Sequence, residues 1–295
     1  PRKARPAPHR LAVLRRFTGA KPGVHRQRRF EASERPRPQK LSLNHLGRGR
    51  LLSGMKPIAR SQLDSVQIGK PRVYSQTNPR SNKIEEWITS FNKTSVEHWV
   101  SVTAHGIDGD EQADKKNHGG IDKAVLVYSA KHFDYWKNQL GVTTVAPGAF
   151  GENLTVSGID ESTVCVGDQF LINDVLLEVS QPRQPCWKLA RHWQLPELPK
   201  QVMQTGYCGW YCRVIKNGRF KPKTPIARVT NPYPEWPIRR AHQVFHQSSA
   251  NPGELNELLS LAVLSAAWKT SAEPGEISKT KPDGDWQNDD VNKEI

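Results

Sequence analysis

The sequence predicts a mainly β protein, a barrel or sandwich interrupted by one helix and followed by a small helical appendage. Three observations carry that expectation. From Gln67 onward, short β-rich runs recur between Gly, Pro and Asn turns. The pair Asn173-Asp174 separates two apolar runs and marks a hairpin. After Pro225 the strand pattern stops and a capped amphipathic helix follows.

Residues 1–54 come first and fit none of this. They hold 15 Lys+Arg against 2 Asp+Glu and contain no Met, which first occurs at Met55. Such a composition cannot bury enough apolar surface to offset chain entropy, so a disordered basic leader is expected and the fold should begin after Met55. The leader is either an arm that touches polyanions or translated sequence upstream of the true start. Its Arg26-Gln-Arg-Arg29 run has no aromatic interleaving of the kind that marks a nucleic-acid surface, which favours the second reading. Residues 55–295 hold 28 Lys+Arg and 27 Asp+Glu, so the net charge of +14 sits almost wholly in the leader. Nucleic acid is therefore not an expected partner, except nonspecifically through residues 1–54.

Strands are expected around 68–74, 96–103, 123–128, 154–156, 164–172, 175–180, 211–215 and 226–229. Within this series one helix is expected, with Ser129 as its N-cap, Phe133, Trp136 and Leu140 on one face and Gly141 as its stop. Residues 231–237 read as a Pro-rich linker and 238–245 as a short helix. Asn251-Pro252-Gly253-Glu254 then opens a clear helix, Asn251 capping and Pro252 at the first helical position. Its apolar stripe runs Leu255, Leu258, Leu259, Ala262, Val263, Ala266 and Ala267. The expected domains are a β domain over 67–230, a helical one over 238–270 and a disordered tail over 271–295.

Four cysteines are too few for a disulfide scaffold, and no secretory signal with a long apolar core is visible. A reducing, cytoplasmic setting is expected. No apolar run approaches the roughly 18 residues that cross a bilayer, so no membrane partner is expected. Cys165 lies in an apparent strand, and the Cys208/Cys212 pair lacks the second pair that a zinc site needs. Cys186 differs. It stands in Ser180-Gln-Pro-Arg-Gln-Pro-Cys-Trp-Lys-Leu189, where Pro182 and Pro185 stiffen the loop and Arg183 and Lys188 surround the sulfur with positive charge. The local residues leave two readings open, a reactive or metal-binding thiolate and a buried structural thiol.

Further motifs stand in line with this loop: Gly106-Ile-Asp-Gly-Asp-Glu-Gln-Ala-Asp114, Asn117-His-Gly-Gly-Ile-Asp-Lys-Ala124, Phe150-Gly-Glu-Asn-Leu-Thr155, and Thr205-Gly206 followed by Gly209-Trp-Tyr211 and Arg213. Together they resemble the MOSC domain, named for the C-terminal domain of molybdenum cofactor sulfurase, and within it the bacterial stand-alone YiiM type, a 6-N-hydroxylaminopurine reductase. The resemblance covers roughly residues 67–268 and includes the helical C-terminus. It implies a MOSC-type β-barrel with a few helices plus a small C-terminal α-helical domain.

The resemblance further implies a molybdenum cofactor (Mo-molybdopterin), with Cys186 as the metal ligand. A soft sulfur donor suits that metal. The cations available to the pterin phosphate are Lys93, Lys123, Arg183, Lys188 and Arg213, and Gly119 and Gly120 would admit the main chain close to an oxyanion. Glu152 and Asn153 are expected cofactor contacts. His118 either moves a proton or satisfies its own loop, and Asp108 and Asp110 either bind a divalent ion or form a Gly-Asp turn. The implied reaction is reduction of a small-molecule N-hydroxylated substrate to an amine, a detoxification. A separate electron-donor reductase is implied as well, since the chain has no Gly-rich nucleotide fingerprint and no iron–sulfur cysteine set. The alternative is a sulfur carrier with a persulfide on Cys186. Pyridoxal phosphate enters only at family level, through sulfurases fused to MOSC domains.

Overall fold

The computed structural model describes residues 61–77, 82–247 and 251–272. The basic leader and nearly all of the expected tail lie outside the described residues.

Seven strands close into a barrel. Its members are β1 (Gln62–Ile68), β7 (Val125–Ser129), β8 (Leu154–Ser157), β9 (Gln169–Ile172), β10 (Val175–Pro182), β11 (Trp210–Lys216) and β13 (Thr224–Thr230). They run in the order β13-β9-β10-β11-β7-β8-β1, and β1 pairs back onto β13 to complete the ring. Every neighbouring pair is antiparallel except β7 with β8, between which a helix must cross over. That crossover contains α2 (Phe133–Leu140), introduced by a 3-10 turn that Ser129 caps and ended by Gly141 in the left-handed region (φ 65°). The Asn173-Asp174 turn joins β9 to β10 as expected, with Asn173 at φ 52° and Val175 opposite Ile172. Trp136, Trp210 and Trp236 are fully buried in the core.

The expected strands differ from the observed ones where backbone donors are missing. The run 68–74 breaks at Pro71, giving β1 and then β2 (Arg72–Thr77), because Gly69 turns its N–H to Asp110 Oδ1 (2.8 Å). β2 forms a two-stranded hairpin with β3 (Ile84–Thr89), placing Tyr74 opposite Trp87 and Gln76 opposite Glu85. The run 96–103 splits into β4 (Thr94–Val96) and β5 (Val100–Thr103), and β5 joins β6 (Gly106–Ile107) and β12 (Gly218–Phe220) in a small separate sheet. Residues 164–168 are not ladder. Val166 donates to Trp236 O (3.0 Å) and Val164 O accepts from Ile238 (2.8 Å), so this end of the stretch binds the linker, while Gly167 N donates to Val179 O (2.9 Å) and Asp168 O accepts from Val179 N (2.9 Å).

The C-terminal segment contains α5 (Ile238–His246), α6 (Pro252–Ser260) and α7 (Ala266–Ser271). The single long stripe expected from 251 onward is thus two helices. Leu261 leaves helical geometry (ψ 119°), and Ser265 caps α7 by accepting from Trp268 N (3.1 Å). The same serine donates its hydroxyl to Gln181 (2.5 Å) and its N–H to Ser180 O (3.1 Å), so β10 holds the break in place. Among the described residues no helix is long and apolar enough to cross a membrane.

Candidate functional site

β10 delivers the cysteine loop. Its last residue, Pro182, is still in register with Trp210, and Arg183 N–H donates to Gly209 O (3.1 Å) before Pro185 ends any ladder. Cys186 follows in extended geometry and leads directly into α3 (Trp187–Trp193). A cleft of about 640 Å³, open to solvent, lies against this loop. Cys186 alone of the four cysteines lines it and is half-buried, whereas Cys165, Cys208 and Cys212 are buried. Burial raises the thiols of all three, which marks them as inert strand or loop fillers.

Seven of the expected residues share this cleft: Lys93, His118, Lys123, Asn153, Arg183, Cys186 and Lys188. Asp114 caps the one-turn helix α1 (Lys115–His118) by accepting from Asn117 N (2.9 Å) and Nδ2 (2.8 Å). His118 ends that turn with Nδ1 3.7 Å from Asp114, too far for a hydrogen bond. Burial lowers its pKa to about 4, with the Lys188, Lys123 and Arg183 charges acting in the same direction and Asp114 opposing. The imidazole is therefore neutral at pH 7. Gly119 is required because a Cβ there would meet Lys115 O at 2.5 Å, and Gly120 because its φ is 97°. Neither glycine lines the cleft; they make the turn that carries His118. Lys123 donates to Asn117 O (2.6 Å), closing the same turn.

Asn153 accepts from Leu126 N (3.1 Å) and donates to Asp110 (2.8 Å), which also accepts from Gly69 N and pairs with Lys93. Asp110 is thus saturated by donors and acts as a turn-forming residue. Glu152 is fully buried and accepts from Gly148 N (2.7 Å), Phe150 N (3.0 Å) and Thr155 Oγ1 (2.9 Å). It shapes the cleft wall from behind rather than facing a ligand. Arg213 lies outside the cleft too. Its guanidinium is consumed by Asp122 (2.8 Å), Glu178 (2.7 Å) and Val263 O (2.9 Å), tying β11 to β10 and to the helical segment.

Among the cleft residues that the sequence reading did not single out are Asp114, Gln184 and Tyr211, each inside a quoted motif that could have pointed to it, and Thr89, Ser90, Phe91 and Leu126, which lie outside every motif. Gln184 stands between Arg183 and Pro185 on the cysteine loop, and the phenol of Tyr211, cross-strand partner of Leu126, is pushed up to about 12 by burial.

The donors of the cleft are not all used internally. Arg183 is 3 % exposed and spends one nitrogen on Phe150 O (3.1 Å), while its Nη1 has no partner. Gln184 Nε2, Ser90 Oγ and His118 Nδ1 are buried and partnerless as well. Buried polar atoms without partners cost roughly 1–3 kcal/mol each, so four at one cleft mark a place that a polar or anionic ligand completes. A phosphorylated group that also offers a metal to a half-buried sulfur fits this donor set. Among the described residues no cluster of three His, Cys, Asp or Glu could hold a metal without such a group.

A closed β-barrel carrying a Pro-flanked cysteine beside a cationic cleft is the arrangement of a MOSC domain, and residues 114–227 match that family. Residues 236–273 match the YiiM-like, 3-alpha helix domain. The chain is 37 % identical over 207 residues to the uncharacterised protein YflK of Bacillus subtilis, covering 70 % of this chain and 90 % of that protein. It is 32 % identical over 216 residues to the protein YiiM of Escherichia coli, covering 72 % and 92 %. A third relative, a protein of Gibberella moniliformis named "Reductase", is 33 % identical, but the match takes in 37 % of its length. The crystal structure of YiiM from Geobacillus stearothermophilus superposes with a TM-score of 0.59 at 32 % identity, covering 75 % of this chain and 99 % of that one. The chain belongs to the YiiM-like branch of the MOSC family.

Proposed function

We propose that this chain is a molybdenum-cofactor-dependent oxidoreductase that reduces N-hydroxylated compounds, hydroxylaminopurines among them, to amines. The observation that carries the reading is the set of partnerless buried polar atoms, Arg183 Nη1, Gln184 Nε2, Ser90 Oγ and His118 Nδ1, in the cleft that the half-buried Cys186 lines. Membership in the family and the relative named "Reductase" support it.

When bound, the cofactor supplies the two-electron chemistry by which R–NH–OH, two electrons and two protons become R–NH₂ and water. Cys186 offers the protein's sulfur ligand on a loop that prolines hold still. Arg183 and Lys188 would bind and orient the anionic part of the group, and Lys123 lines the same cleft. His118, neutral at pH 7, positions a ligand through its free nitrogen and receives a proton only when an anion in the cleft raises its affinity for one. The cleft is open, so solvent supplies the remaining protons. Electrons arrive from a separate reductase, and the protein works in the cytoplasm.

The test is metal and pterin analysis of protein purified from a host that makes the cofactor, with and without Cys186→Ser. Molybdenum and pterin should co-purify with the wild type, and the substitution should abolish metal retention and hydroxylamine reduction while leaving the melting temperature nearly unchanged. Full activity in Cys186→Ser, or a wild type that takes up no molybdopterin, would overturn the reading. Persulfide on Cys186 without metal would move it to sulfur transfer.

A further inference from the structure

The helical segment carries a pair of imidazoles that takes no part in the cleft. His242 and His246 stand four residues apart on α5, so they lie on one face of the helix, one turn from each other. Their ring centroids are 4.4 Å apart and the rings are inclined at 61°. Ile238, Ala241 and Phe245 of the same helix are buried apolar side chains, and Phe245 packs on Trp268. In this setting His242 is 2 % exposed, whereas His246 is half-buried and leaves a path from solvent.

The hydrogen bonds fix which nitrogen is free. His242 Nε2 lies 2.8 Å from Met203 O, on α4 (Leu198–Thr205). A carbonyl only accepts, so Nε2 carries the hydrogen and Nδ1 of the neutral ring carries the lone pair. That Nδ1 is buried without a partner, and so is His246 Nε2. Packing does not explain two such atoms on successive turns, because Leu at either position would fill the space and leave no polar atom unmet. An anion is the wrong complement for a lone pair. A cation that binds neutral imidazole is the right one, and a carbonyl behind the ring, as Met203 O is behind His242, is the usual support of a metal-ligating histidine.

We infer that His242 and His246 form a site for a transition-metal dication of the zinc and copper class, which fastens the last turns of α5. Imidazole nitrogen suits Zn²⁺, Ni²⁺ and Cu²⁺, whereas Mg²⁺ and Ca²⁺ take oxygen. Among the described residues no third His, Cys, Asp or Glu joins the pair, so water completes the coordination and the ion exchanges with solvent. The inference is independent of the proposed reaction.

The test uses the full chain carrying Cys186→Ser, stripped with a chelator, so that the cleft sulfur cannot compete. Calorimetric titration with Zn²⁺ should show a site that Mg²⁺ does not fill, and excess Zn²⁺ should raise the melting temperature. One equivalent of Cu²⁺ should give a paramagnetic resonance spectrum with the splitting of two coordinated nitrogens. Losing only the hydrogen-bond partner behind a ligand costs about 10–100-fold in metal affinity, so His242→Gln and His246→Gln, which each remove a ligand, should lose the Zn²⁺ site and its stabilisation. His98→Gln, at an exposed position, should keep both. His246→Gln, at the half-buried position, is the variant that keeps the fold should His242→Gln lose it. Zn²⁺ affinity unchanged in folded His246→Gln, equal stabilisation by Mg²⁺, or a copper spectrum without two nitrogens would overturn the inference. No readout involves molybdenum, so failure here leaves the proposed function standing, and failure of that function leaves this site standing.

Discussion

Glu152→Gln is the most discriminating substitution behind the cleft, because the carboxylate is fully buried and every partner that it has is a donor. Its Oε1 accepts from Gly148 N and Thr155 Oγ1, and a glutamine oxygen in that position would keep both bonds. Its Oε2 accepts from Phe150 N at 3.0 Å, where glutamine would place an N–H₂ against an N–H. One buried backbone donor is then left without an acceptor, at a cost of about 2 kcal/mol. For a domain of this size that lowers the melting temperature by about 4–8 °C. The effect should reach the site as well, since Phe150 O accepts from Arg183 Nη2 at 3.1 Å. Thermal unfolding gives the first quantity, and calorimetric titration with inorganic phosphate gives the second, expected to fall several-fold. Thr155→Val is the control. It removes the hydroxyl that donates to Glu152 (2.9 Å), with Gln67 Oε1 as a second acceptor at 3.5 Å, orphans no backbone group and should cost about 1 kcal/mol. A melting point within 1 °C of wild type in Glu152→Gln, or a larger loss in Thr155→Val, would refute the reasoning.

Two further outcomes follow from the packing and from the titrating groups. Trp268 is 1 % exposed and packs on the Phe245 ring at 4.4 Å, so Trp268→Ala should cost about 3–5 kcal/mol in urea unfolding. On the proposed function, the molybdenum content of the protein that remains folded should not change, because neither ring lines the cleft. Acid should destabilise the fold between pH 6.5 and 4. Burial depresses His118 to about 4 and His246 to about 3, and lowers His192 and His242 as well, so the unfolded chain takes up these protons first and stability falls with pH. Asp168, pushed up to about 6 by burial, acts the other way: the folded chain takes up its proton first, which adds stability as pH falls from about 6 to 3.8. Burial raises Glu152 in the same sense as Asp168. Four histidines outnumber the two carboxyls, so the urea midpoint should be lower at pH 5 than at pH 7, and His246→Gln should narrow the gap. A midpoint that holds or rises at pH 5 would contradict the burial of these imidazoles.

The barrel was legible because its signals are local. Asn173-Asp174 specifies a tight hairpin through its own backbone preferences, and Ser129 and Gly141 bound α2 for the same reason. The errors arise where a distant partner decides. The apolar stripe from Leu255 to Ala267 is continuous in sequence, yet Ser180 and Gln181, more than eighty residues away, take the N–H and hydroxyl of Ser265 and divide the helix. Likewise Gly69 ends β1 because Asp110 accepts its N–H.

The same distinction separates the site residues. Arg183 and Cys186 share one loop and Lys188 lies in the first turn of the helix that follows it, so their proximity follows from covalent connection. Glu152 and Arg213 sit in motifs just as clear, but a motif states that a residue is constrained and not by what. Glu152 has three internal donors and Arg213 three internal acceptors, and each is thereby spent on the frame. Arg183 has one internal acceptor and a second nitrogen left over, and only coordinates reveal that remainder. Unmet hydrogen-bonding capacity at the cleft, rather than charge or motif membership, therefore distinguishes Arg183 from Arg213. It also ranks their variants: Arg213→Ala should lower stability with little change in phosphate affinity, whereas Arg183→Ala should lower phosphate affinity more than stability.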